Sequence, residues 1–142
     1  MYKKILVTLE NGPADATIIP HVAELATHFR SEILLLHVAD GFAARCFDQL
    51  KLAESDEIKE DRAYLEKIAD ALRAQKLPVS TLLAMGNPPA EILKVAVEEH
   101  CDLIAMTSHG HRFFGDIFHG STITQVRHET SIPLLVLRAK KI

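Results

Sequence analysis

Several signatures are missing from this 142-residue chain, and each absence closes off a class of protein. No apolar run approaches the ~20 residues that a membrane-spanning helix needs, since ILLLHVA and PLLVL are far shorter. The start, MYKKILVTLE, has only a five-residue apolar segment before an acid, too short for a secretion signal. Basic residues show no excess: net charge is −3 and the isoelectric point about 6.2, which disfavours a general nucleic-acid binder. The basic tail RAKKI reads as a solvated end. There are only two cysteines, Cys46 and Cys101, and they share no ligand or disulfide motif. They are read as reduced thiols in a cytoplasmic protein. No G-x-x-x-x-G-K-[ST] occurs, which excludes a P-loop, and no G-x-G-x-x-G follows the first strand, which disfavours a dinucleotide-binding domain. A phosphorelay receiver would need clustered acids after the first strand, where Glu10 stands alone. Repeats and low-complexity tracts are also absent.

What is present is alternation. KILVTL (Lys4 to Leu9), EILLLHVA (Glu32 to Ala39), Val79 to Met85, DLIAM (Asp102 to Met106) and PLLVLR (Pro133 to Arg138) read as five strands. Between them lie helical stripes. Ile18, Val22, Leu25 and Phe29 form one, starting either at Thr17 as N-cap or near Ala14 with a kink at Pro20. Ile58, Leu65, Ile68 and Leu72 form a second, opened by Ser55, Asp56 and Glu57. Asn87 with two prolines opens a third through Ile92, Leu93, Ala96 and Val97, and a short fourth carries Ile123 and Val126. Asp40 to Glu54 is the longest irregular stretch. Apolar, non-alternating strands separated by helices imply one α/β domain over residues 1–142: a doubly wound, five-stranded parallel sheet with helices on both faces. The less uniformly apolar third strand suits an edge.

The stretch TSHGHRFFGDIFHGST, Thr107 to Thr122, leaves the fourth strand at the sheet edge where such folds bind ligands. Gly110 and Gly120 would let backbone N–H groups approach an anion, and Ser121 and Thr122 open a helix whose free N–H groups attract phosphate. The bland alternative is a turn followed by a capping box of Thr122 with Gln125. His109, His111, His119 and His128 suggest half a metal site, but no cysteine or acid stands at ligand spacing. Ser108-His109-Gly110-His111 misses the H-x-G-H of adenylyl transfer by a residue and follows the wrong strand. Phe113, Phe114 and Phe118 read as pins or a cover for the loop. His37 reads as a satisfied strand-end residue and Cys101 as a structural thiol.

The loop Thr107-x2-Gly110-x9-Gly120-Ser121 resembles the G-x2-G-x9-G-[ST] nucleotide loop of the universal stress protein family, with Thr107 in place of the first glycine. MYKKILV, LLLHV, GNPPAEILKVAVEEHCDLIAM and SIPLLVLR extend the resemblance, in order, over essentially the whole chain. The resemblance implies sheet order 3-2-1-4-5, as in adenine nucleotide alpha hydrolase-like folds, and one universal stress protein domain. It implies a nucleotide site in which Thr8 and Leu9 line the nucleoside pocket and Glu10 takes the place of the usual aspartate near ribose and phosphates. Val38 meets adenine through its backbone, Met106 packs near the sugar or base, and Thr107, Gly110, Gly120, Ser121 and Thr122 hold phosphates. The implied ligand is ATP, with AMP or ADP as alternatives, together with Mg²⁺, serving regulation or stability in a stress response. The implied assembly is a homodimer through Pro133 to Arg138. No residue stands out as catalytic, so any ATP hydrolysis is expected to be slow. A nucleotide-free dimeric interaction module and a slow ATPase are the competing readings.

Overall fold

The computed structural model describes residues 1–39, 56–108 and 120–140. Its strands are β1 (Lys4–Thr8), β2 (Glu32–Ala39), β3 (Val79–Met85), β4 (Leu103–Ser108) and β5 (Leu134–Arg138). Its helices are α1 (Asp15–Phe29), α2 (Asp56–Arg73), α3 (Pro88–Glu98) and α4 (Gly120–Glu129). All four strand pairings are parallel and the order is β3-β2-β1-β4-β5, as the resemblance implied. The weakly apolar third strand is at an edge.

The strands read as continuous apolar runs because both faces of the sheet are covered. Ile5, Val7, Ile33, Leu35, Leu103 and Ala105 pack on one side with Ile18, Val22 and Leu65, from α1 and α2. Leu6, Leu34, Leu36, Ile104 and Met106 pack on the other side with Ile92, Val95 and Val126, from α3 and α4. Each large side chain taken fully from water in these layers contributes about 1.5–3 kcal/mol.

Of the two starts read for α1, the structure has the earlier: it begins at Asp15 with Ala14 at the N-cap position, so Pro20 lies inside it and Thr17 is not its cap. Two local readings change. In α3 the buried residue is Val95, while Val97 is 67% exposed. Thr122 lies inside α4 rather than capping it. The cap of α3 is as expected: Asn87 Oδ1 accepts the Ala90 N–H at 3.1 Å, with proline in the first turn. Gly86 ahead of it has φ of +134°, a conformation that side chains rarely adopt, and its N–H donates to the Ala39 carbonyl. Cys101 is buried, and that burial pushes its thiol up to about 11, so it stays protonated as a structural residue. Cys46 and the stretch from Asp40 to Glu54 lie outside the described residues.

Candidate functional site

The chain runs from β1 to β2 on one side of the sheet, and β4 pairs with β1 on the other. The order therefore reverses between β1 and β4, and ligands of such sheets sit beyond the carboxyl ends of the strands at that point. Thr8 ends β1 at this mouth with Leu9 and Glu10 following, and Met106 and Thr107 lie in the last half of β4, which pairs with β1. Gly120, Ser121 and Thr122 form the first turn of α4, the helix that follows β4. Val38 is near the end of β2, paired with Ala84. The mouth thus gathers the end of β1 and the end of β4. Gly110, His109, His111, His119, Phe113, Phe114 and Phe118 lie outside the described residues.

Burial sorts what each residue can offer. Leu9, Val38 and Met106 are fully buried, so their side chains belong to the core and only their backbone is left to offer a ligand. Thr8 Oγ1 points back to the Ala105 carbonyl at 3.4 Å. Thr107 is only 3% exposed, and its Oγ1 is buried with no hydrogen-bond partner among the described residues. Glu10 is half-buried. Among the described residues no group of three or more His, Cys, Asp or Glu is placed to hold a metal. A groove of about 520 Å³ runs along the outer side of α1, lined by Ile19, Pro20, Ala23 and Gln75 among others, and includes none of the mouth residues.

Beneath Glu10 lies a polar cluster that the sequence reading missed. Asp15, only 2% exposed, accepts the Glu10 N–H at 3.0 Å and the Asn11 N–H at 2.9 Å. The Tyr64 hydroxyl donates to the same carboxylate at 2.7 Å. Burial, then that hydrogen bond and the charge of Asp15, push the Tyr64 phenol well above its ordinary value. Asn11 takes the left-handed conformation, φ of 60°, which asparagine tolerates. Its side chain reaches Asp61, which faces His37. His37 is thus satisfied at its strand end, as read. One signal was available: Asp15 and Asp61 stand three residues before Ile18 and four before Leu65, on the apolar stripes of their helices. An acid on a buried stripe needs partners.

The comparisons agree with this fold. The model of the Universal stress protein family matches residues 1–138. The universal stress protein MJ0577 of Methanocaldococcus jannaschii is 29% identical over 157 residues, spanning 99% of this chain and 97% of that protein. A solved structure of MJ0577 is similar with a TM-score of 0.81 at 27% identity, over 100% of this chain and 99% of that one. A universal stress protein from Archaeoglobus fulgidus, solved in complex with dAMP, shares the fold with a TM-score of 0.69 at 18% identity, over 95% of this chain and 97% of its own. With matching motifs, matching strand order and a family model spanning nearly its whole length, the chain belongs to the universal stress protein family.

Proposed function

We propose that this protein binds ATP with Mg²⁺ at the β1–β4 mouth, as a regulatory or stability ligand in a stress response. The observation that carries this reading is Thr107: a hydroxyl buried at the end of β4, without a partner among the described residues. An orphaned buried hydroxyl costs about 1–3 kcal/mol, and a ribose or phosphate oxygen at the mouth would relieve it. The first turn of α4 adds N–H groups and the exposed Ser121, a donor set suited to phosphate, while Thr122 there is only 3% exposed. Mg²⁺ would be held mainly by the phosphates, with Glu10 as the nearby carboxylate. The dAMP complex of the Archaeoglobus fulgidus relative supports an adenine nucleotide here. The setting in this reading is cytoplasmic, resting on two cysteines that share no disulfide motif.

Protein purified without added nucleotide, then denatured, should release an adenine nucleotide identified by mass spectrometry. Calorimetric titration of the emptied protein with Mg-ATP should give a micromolar dissociation constant, about −8 kcal/mol. Parallel titrations with ADP and AMP separate the alternatives. If no nucleotide is released and none produces heat, the nucleotide role falls and the interaction module takes its place.

The same reading includes a homodimer through β5. Among the described residues this strand pairs only with β4, and Val136 on it is 42% exposed. An open apolar edge is prone to pairing with another strand. Val136→Lys should shift sedimentation from dimer toward monomer, and an unshifted boundary in both Val136→Lys and Leu135→Lys removes β5 as the interface.

A further inference from the structure

The polar cluster under the mouth converges on the turn that carries Glu10, the carboxylate that the nucleotide reading sets near the ribose and phosphates. Asn11 Nδ2 donates to Asp61 Oδ1 at 2.9 Å. Asp61 Oδ2 is 3.2 Å from His37 Nε2, and His37 Nδ1 is 2.8 Å from the Leu9 carbonyl oxygen. A carbonyl only accepts, so Nδ1 carries a hydrogen, and Nε2 faces the Asp61 carboxylate. With Asp15 on the Glu10 and Asn11 amides, the peptide groups on both sides of Glu10 are held by buried side chains. Asp15 and His37 come from α1 and β2, and Asp61, which ties the Asn11 side chain to His37, comes from α2. His37 and Asp61 are 3% and 7% exposed. Well-packed apolar residues often stabilise a core as well as buried ionic groups do, so stability alone is a poor reason for this arrangement.

We propose that Asp61, acting through Asn11 and His37, is a positioning residue that sets Glu10 for contact with the sugar or phosphates of the nucleotide. This rests on the nucleotide reading above. Side chains that orient a ligand-contacting group must themselves be locked by packing and hydrogen bonds, and this cluster is so locked. Asp61 acts by geometry rather than by charge. An asparagine in its place would still accept from Asn11 through Oδ1, and would donate from Nδ2 to a neutral His37.

The test compares Asp61→Ala with Asp61→Asn by Mg-ATP calorimetry and by amide hydrogen exchange without nucleotide. Asp61→Ala should weaken Mg-ATP binding about ten-fold, the lower end of what losing an orienting partner costs at metal sites. It should also speed exchange of the Glu10 and Asn11 amides, whereas Asp61→Asn should leave both readouts near those of the unaltered protein. In a Glu10→Ala background, Asp61→Ala should add little. Equal binding and exchange in Asp61→Ala, failure of Asp61→Asn to rescue, or full additivity with Glu10→Ala would each overturn the proposal. If Asp61→Ala does not fold, Asn11→Gly serves instead, because it keeps the left-handed backbone and deletes only the link to Asp61. If the unaltered protein binds no nucleotide, the functional reading fails separately. Exchange at Glu10 and Asn11 then decides alone whether Asp61 holds the loop, and unchanged exchange overturns it.

Discussion

Replacing Gly120 with valine is expected to weaken Mg-ATP binding about a hundred-fold, close to 2.7 kcal/mol, with little change in melting temperature. Gly120 is the first residue of α4, where backbone N–H groups have no partner within the helix. The helix dipole at an exposed terminus contributes only about 0.3–1 kcal/mol, so most of the phosphate affinity must come from several donors engaged together. Each net hydrogen bond contributes about 1 kcal/mol, and bonds to a charged group about 1.5–3. Two such contacts therefore account for the expected loss. Phosphate oxygens must come within about 3 Å of the backbone nitrogens, which a glycine allows and a branched side chain obstructs. The fold should be indifferent, since valine is not a poorer helix former than glycine. Calorimetry and thermal melts on the same preparation separate the two effects. Unchanged ATP heat would remove the first turn of α4 from the site.

The sequence disclosed the architecture because the sheet is buried on both faces. The inner strands are nearly continuous apolar runs, the third is weaker and lies at an edge, and each connection carries a stripe at helical spacing. Strand ends were less legible because pairing decides them. Apolarity stops at Met106, yet β4 continues through Thr107 and Ser108, which pair with Leu137 and Arg138 of β5. The start of α1 was ambiguous because Pro20 is tolerated inside the helix. Loop spacing pointed to the mouth, and Thr8, Glu10, Met106, Thr107 and Gly120 are at strand and helix ends consistent with it. The spacing said nothing of the support beneath. Asn11, Asp15, His37, Asp61 and Tyr64 belong to a turn, two helices and a strand, up to 53 positions apart in sequence. Only the crossovers bring them together, so no local motif records them. The one trace they leave is an acid where periodicity calls for an apolar residue.

Asp15→Ala is expected to cost about 3 kcal/mol of stability, lowering the melting temperature by roughly 10 °C. The carboxylate accepts from three donors, the Glu10 and Asn11 amides and the Tyr64 hydroxyl. Alanine leaves all three without their acceptor, and each orphaned buried donor costs about 1–3 kcal/mol. Glu10 is only half-buried, so water can reach part of the turn and the total falls short of the full sum. Tyr64 adds a pH signature. Its value in the folded protein is raised above the ordinary 10.0, first by burial and then by Asp15. A raised value means that folding favours the protonated phenol. Its contribution is therefore complete below pH 10 and is lost as pH rises beyond that. Melts followed by circular dichroism at neutral pH and above pH 10 should show that alkaline loss in the unaltered protein and not in Tyr64→Phe. In Asp15→Ala it should be reduced but not abolished, because burial, the larger cause, remains. An Asp15→Ala protein melting within a few degrees of the unaltered one would mean that water replaces the carboxylate, and the turn carrying Glu10 would then lack the anchor assigned to it.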